Sequence, residues 1–137
     1  MHEWALAESI VLAAVEEARK EHLKKITKVT VSIGELQQIE KEIFLFALNE
    51  IGKAQKPPIK KDAFVLKTEK STLTCKYCGE QWKYSDMKKK LNETESESIH
   101  FIPEVVFVHT RCPRCGSPDF EITQGRGVIL SSISGVR

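Results

Sequence analysis

Apolar residues recur every three or four positions from Trp4 to Leu23. Trp4, Ala7, Val11, Ala14, Val15 and Ala18 form one stripe, which Leu6, Ile10 and Ala13 widen, while Glu16, Glu17, Arg19 and Lys20 lie off it. That spacing predicts an amphipathic helix. The period then changes to two. Lys28-Val29-Thr30-Val31-Ser32-Ile33 alternates as a half-buried strand does, and Gly34 closes it. Helical spacing returns from Ile39 to Ile51 through Ile39, Ile43, Phe46 and Ala47; Gly52 stops it, and Pro57-Pro58 marks a loop. Phe64 to Thr74 predicts a second strand, with Phe64, Leu66 and Thr68 on one side. Phe120 to Thr123 and Val128 to Ile133 predict strands that return to the first sheet.

Between these elements the character of the chain changes at Cys75. The stretch to Ser117 holds two cysteine pairs, the Lys88-Lys89-Lys90 run and an acidic, Ser-rich patch from Glu93 to Ser98. Its aliphatic content is too low for a core of its own, so it needs a staple, and metal is the usual one for so small a unit. The expected fold is α+β: a small domain of two helices on a three-stranded sheet, interrupted by a four-cysteine zinc-binding domain with two C-x-x-C-G knuckles. Residues 1–74 and 120–137 make the first domain in this reading, and residues 75–119 the second.

Length, charge and hydropathy narrow the function. A chain of 137 residues suits one core domain plus an appendage. A net charge of +2 lacks the basic excess of most nucleic-acid binders. No apolar run is long enough to cross a bilayer, and Met1-His2-Glu3-Trp4 does not open as a secretion signal does. A cytoplasmic location is expected. Lasting disulfides are uncommon there, so the four cysteines call for another explanation.

Cys75-Lys76-Tyr77-Cys78-Gly79 and Cys112-Pro113-Arg114-Cys115-Gly116 supply it. Two residues between cysteines let both thiolates of a tight turn face one ion. The glycine that follows permits the left-handed backbone that turns N–H groups toward the sulfurs. Two such turns facing each other build a tetrahedral four-thiolate site, which zinc prefers. A thioredoxin-type redox pair would instead sit at a helix start after a strand. The gap from Cys78 to Cys112 is longer than in the commonest zinc ribbons. An all-cysteine site is closed, so its expected role is structural.

The first residues carry a second metal chemistry. The amine of Met1, the amide nitrogen of His2 and the His2 imidazole can close two fused chelate rings around one ion. Planar nitrogen fields favour Ni(II) or Cu(II) over zinc. The Glu3 backbone nitrogen or another imidazole could supply a fourth ligand. Glu3 can also ligate through its carboxylate, against the simpler reading of favourable charge at a helix start. Trp4 reads as a core anchor, and His22 as an ordinary residue near a helix C-terminus. His109 reads as structural, because four cysteines already fill the site. The lysine run reads as a solvated face paired with Glu93, Glu95 and Glu97.

Taken together these motifs resemble the HypA family, the hydrogenase nickel-incorporation metallochaperones, over nearly the whole chain. Met1-His2-Glu3 matches the family's nickel-binding opening. Val31-Ser32-Ile33-Gly34-Glu35-Leu36 matches its first strand and turn. The two cysteine pairs match its zinc site, and Phe120-Glu121 with Gly127 to Ile133 match its closing segment. The long stretch between knuckles is similar to that of archaeal-type members, where a histidine in a His-Phe-Ile-Pro-Glu segment can complete the nickel site. The corresponding residue is His100 in Ile99-His100-Phe101-Ile102-Pro103-Glu104. Gln37-Gln38 departs from the family's usual small residue ahead of the second helix.

The resemblance implies a protein that catalyses nothing. It would hold structural Zn(II) on Cys75, Cys78, Cys112 and Cys115, and carry Ni(II) on Met1, His2 and Glu3 with His100. It would dock on a HypB-like nickel-handling nucleotide hydrolase and pass nickel to the large subunit of a [NiFe] hydrogenase. Neither nucleic acid nor membrane is an expected partner, and a weak homodimer fits the same picture. The competing reading is a zinc-ribbon nucleic-acid or transcription module, which low charge and the lack of interleaved aromatics disfavour. A redox or hydrolytic enzyme is a third, and no phosphate loop, exposed nucleophile set or open metal site supports it.

Overall fold

The computed structural model describes residues 3–37, 39–88, 92–94 and 110–137. Two compact units emerge. One comprises Met1–Ser32, Ile39–Lys67 and Val128–Arg137; the other comprises Ile33–Gln38 and Thr68–Gly127. The architecture is mixed α+β, as expected, with a sheet in each unit.

In the first unit, helix α1 (Glu3–Lys20) buries Ala7, Ile10, Val11, Ala14, Val15 and Ala18, most of the stripe the periodicity marks, while Ala13, expected to widen it, is exposed. Arg19 and Lys20 in its last turn complement the partial negative charge of the helix C-terminus. Strand β1 (Lys25–Gly34) buries Val29, Val31 and Ile33. Thr30 is buried as well, so the central strand is covered more completely than simple alternation suggests. Helix α2 (Lys41–Gly52) packs against α1, yet its buried residues are Phe44, Ala47, Leu48 and Gly52. Ile43 and Phe46, assigned from spacing to the buried stripe, are 44% and 58% exposed. The helix starts at Lys41 rather than Ile39, and its phase is rotated accordingly. Trp4 is also half exposed, and its ring meets Phe46 edge-on at 6.1 Å. It anchors less core than the sequence suggests.

The first sheet has the order β2-β1-β6, where β2 is Phe64–Glu69 and β6 is Val128–Val136. The expected long strand from Phe64 to Thr74 is therefore two strands. Its second half, β3 (Thr72–Cys75), belongs to a separate sheet with β4 (Gln81–Lys83) and β5 (Phe120–Gln124), in the order β4-β3-β5. So β5 does not return to the first sheet; only β6 does.

Unit two is small. Short helix α3 (Tyr84–Lys88) follows β4, and Leu36, Leu73, Tyr84, Met87 and Phe120 form the buried cluster, with Trp82 and Ile122 packed against it. Only Tyr84 and Met87 of these five lie between Cys75 and Ser117; the flanking segments lend the rest. The polar side of the unit is pinned where β1 ends. The Glu35 carboxylate accepts the Ser71 N–H at 2.9 Å, and the Ser71 hydroxyl donates to the Gly125 carbonyl at 2.8 Å. The backbones are so close that a Cβ on Gly34 would run into the Gly125 carbonyl, and Gly125 itself is left-handed at φ +71°.

Among the described residues no helix is long and apolar enough to cross a membrane.

Candidate metal centre

Cys75 ends β3, and its register partner is Phe120, the first residue of β5. The next residue extends the pairing, with the Lys76 N–H donating to the Asp119 carbonyl at 2.9 Å. Antiparallel pairing thus brings the chain just after Cys115 against the chain just before Cys78. This brings together two motifs that are far apart in sequence.

Each knuckle is built the same way. Gly79 N–H donates to the Cys75 carbonyl at 3.0 Å, and Gly116 N–H to the Cys112 carbonyl at 2.9 Å. Cys75 N–H closes on the Glu80 carbonyl at 2.8 Å, and Cys112 N–H on the Ser117 carbonyl at 2.9 Å. Gly79 and Gly116 have φ of +79° and +73° with open space around the missing Cβ, so backbone conformation alone accounts for glycine there. The turns aim N–H groups at sulfur. Tyr77 and Cys78 donate to the Cys75 sulfur, and Arg114 and Cys115 to the Cys112 sulfur, all at 3.4 Å.

The four Sγ atoms lie within 4.8 Å of one another. Cys75 to Cys115 and Cys78 to Cys112 are each 3.6 Å. A tetrahedron with metal–sulfur bonds of about 2.3 Å has edges of about 3.8 Å, so the cage matches a zinc-sized ion held by thiolates. None of the four is in a disulfide. Among the described residues this is the one group of His, Cys, Asp and Glu side chains able to hold a metal ion.

The metal-free thiols are unequal. Cys75 is held down to about 7, chiefly by the Cys78 N–H and further by the Tyr77 N–H, against the cost of burial. At Cys112 burial raises the pKa, but the N–H groups of Cys115 and Arg114 outweigh it and the net shift is downward. At Cys115 the Ser117 N–H favours the thiolate, yet burial and the three neighbouring sulfurs push it up to about 12. Cys78 is raised too, despite the Glu80 N–H, by burial and by Cys112. One buried thiolate forms readily, and the rest are discouraged by one another until a cation neutralises them. Protons then compete with metal for the cage. Apparent Zn(II) affinity should fall as pH drops, with a slope approaching one decade per thiol per pH unit below the Cys75 value of about 7. Competition titrations against a chromophoric chelator at several pH values measure that slope. A flat profile would show that the thiols do not hold the ion.

The other residues singled out from sequence are placed differently. Met1, His2, His100 and His109 lie outside the described residues, as do Lys89, Lys90 and the Ile99–Glu104 segment. Glu3 is the first residue of α1, in the acidic first turn. His22 follows α1 with a left-handed backbone, φ 57°. The N–H groups of Glu80 and Ser117, which favour the thiolates of Cys78 and Cys115, carry no side-chain signal in the sequence.

A family model described as hydrogenase/urease nickel incorporation, metallochaperone, hypA matches residues 1–135. The chain belongs to the HypA family. A hydrogenase maturation factor HypA from Thermococcus sibiricus is 47% identical over 133 residues, covering 97% of this chain and 95% of that one. Its counterpart from Pyrococcus horikoshii is 45% identical over 134 residues, covering 97% and 94%. The solution structure of the nickel metallochaperone HypA from Helicobacter pylori superposes with a TM-score of 0.65 at 25% identity, covering 99% of this chain and 98% of that one. Membership of this family of nickel metallochaperones does not favour the alternative of a nucleic-acid or transcription module.

Proposed function

We propose that this HypA-family chain binds Ni(II) through Met1, His2 and Glu3, with His100 as a further ligand. It would deliver that ion during [NiFe] hydrogenase maturation, while Zn(II) on Cys75, Cys78, Cys112 and Cys115 serves structure alone. The observation that carries this reading is the closed cage. Four sulfurs fill a tetrahedron and leave no open position, so a transported ion needs other donors. Soft sulfur suits zinc, whereas amine, amide and imidazole nitrogens in a plane suit Ni(II). The two metals are therefore sorted by donor type rather than by affinity alone.

Delivery follows from the same chemistry. A carrier must release, and a site of few protein donors at a chain end exchanges ions more easily than an enclosed cage. The recipient would be the large subunit of the hydrogenase, reached through a HypB-like nucleotide hydrolase; the relatives' role as hydrogenase maturation factors supports that pathway. Neither step requires catalysis by this chain.

Titrating the zinc-loaded protein with Ni(II) tests the division of labour. The expected result is one nickel taken up per chain with zinc content unchanged and the planar-nickel absorption band rising. Nickel that instead displaces zinc one for one, with sulfur-to-nickel charge-transfer bands, would overturn it.

A further inference from the structure

The loop that joins α2 to β2 stands apart in charge. From Lys53 to Lys61 it carries four lysines and no acid. The whole chain has 21 basic against 19 acidic side chains, so without these four the balance turns to 17 against 19. Positive charge is gathered here rather than spread.

The loop is also held in one shape. Pro57 and Pro58 stiffen it. The Ile26 N–H of β1 donates to the Pro58 carbonyl at 2.9 Å, and the Ile26 carbonyl accepts the Lys60 N–H at 2.8 Å. The Arg19 guanidinium donates to the Lys56 carbonyl at 2.9 Å. Between this loop and the end of α2 lies a recess of about 550 Å³. Gly52, Ile59 and Phe64 supply its apolar lining. They pack closely: a Cβ on Gly52 would come within 3.3 Å of the Phe64 ring and 3.6 Å of Ile59. At the rim the Lys53 ammonium is held by the Glu50 carboxylate at 2.8 Å. Lys60 and Lys61 also line the recess; both are exposed, and among the described residues neither has an ion-pair partner. Asp62, exposed beside them, offsets only part of their charge.

We propose that this recess is a docking site for an acidic segment of a partner protein, whose apolar side chain fills the recess while carboxylates beside it pair with Lys60 and Lys61. Charge complementarity selects the acid. Two ammonium groups stand without counter-charge, and Glu50 on Lys53 shows how a carboxylate seats at this rim. The lining selects protein over nucleic acid. It offers space for an apolar side chain, and its one aromatic ring, Phe64, is buried and presents no platform on which a base could stack. The pinned loop lowers the ordering cost of association, because the lysines are presented by a backbone that is already fixed.

Fluorescence anisotropy of labelled synthetic peptides, titrated with the zinc-loaded full chain, tests this. The leading probe has adjacent leucines flanked by glutamates. One companion has alanines for the leucines, and another has glutamines for the glutamates. The leading probe should bind with a dissociation constant on the order of 0.1 mM, because exposed ion pairs each contribute little. Either companion should bind at least about fivefold more weakly. Lys60→Glu with Lys61→Glu should weaken the leading probe at least about tenfold, since like charge then faces its glutamates. Lys70→Glu with Lys83→Glu makes the same change in net charge at exposed positions of the other unit, and should alter binding less than about twofold. Circular dichroism and zinc content check that both variants are folded. If the first pair fails to fold, amide NMR shifts of the unaltered chain decide, since the leading probe should move Lys53 and Ile59 to Phe64. No binding at millimolar peptide, equal binding of all three peptides, a loss reproduced by Lys70→Glu with Lys83→Glu, or shifts that fall elsewhere would each overturn the proposal. So would a single-stranded oligonucleotide or phosphatidylglycerol vesicles bound more tightly than the peptide. Rim shifts that appear on concentrating the chain alone would overturn it too, in favour of a second copy as occupant. Nickel enters none of these measurements, so their outcome is independent of the metal-delivery reading.

Discussion

Removing the cage ion, or replacing Cys75 by serine, is expected to unfold the second unit while leaving the helices of the first intact. The second unit has five buried side chains in its cluster, and three of them come from segments flanking the knuckles. A core of that size is marginal without a staple. Binding of a structural zinc by four thiolates supplies on the order of 10 kcal/mol near neutral pH, far more than the cluster can spare. Cys75→Ser removes the sulfur that receives two backbone N–H groups and whose thiolate forms most readily. A drop of at least about a thousandfold in zinc affinity is expected, since a neutral hydroxyl replaces a thiolate ligand.

The two tryptophans make the outcome readable, because each unit holds one. Trp82 packs edge-on against Phe120 at 5.3 Å inside the second unit, and Trp4 meets Phe46 in the first. In a Trp4→Phe background, chelation should shift Trp82 emission to the red. In a Trp82→Phe background, Trp4 emission and the helical signal of α1 and α2 should hardly move. Loss of both signals together would show that the cage supports the whole chain. Loss of neither would show that the ion is not what holds the unit.

How far the sequence foretold this depends on the range of the interactions. The knuckles were legible because cysteine, spacing and glycine all act within five residues. The buried face of α1 was legible because its period runs through five turns. α2 is shorter, and three neighbouring apolar residues, Ile43, Phe44 and Leu45, allow more than one phase. Only packing against α1 selects the face with Phe44 and Leu48 and leaves Ile43 and Phe46 outside. The break between β2 and β3 was illegible for a different reason. Ser71 looks like any strand serine, yet it is fully buried, and it is held by Glu35 and Gly125, 36 and 54 residues away. Likewise β5 resembles a continuation toward β6, and only the pairing of Cys75 with Phe120 puts it beside β3. Local pattern predicts elements; long-range hydrogen bonds decide which sheet they join.

Blocking the amine of Met1, or replacing His2 by alanine, should lower nickel affinity by at least about a hundredfold while zinc content stays at one per chain. The reason is chelation. An amine, the next amide and the imidazole behind it act as one ligand, so losing any member opens a ring and forfeits the entropy advantage of the rest. An acetylated amine is no longer basic, and His2→Ala deletes the donor that anchors the plane. Neither change touches the sulfur cage, whose ligands lie in the other unit. An additional residue ahead of Met1 is not an equivalent block. It moves the imidazole to third place, where amine, two amides and imidazole fill a plane by themselves. Such a chain should bind nickel yet release it poorly, and so fail in transfer rather than in uptake. Affinity in the unaltered chain should rise with pH, because the α-amine, with an ordinary pKa of about 8, and the amide must both give up protons to the incoming ion. Isothermal titration of the zinc-loaded protein, with native, acetylated and His2→Ala chains side by side, reads both effects. Equal nickel affinity in all three would place the transported ion on other donors, and His100→Ala would then be the next variant to separate uptake from zinc binding.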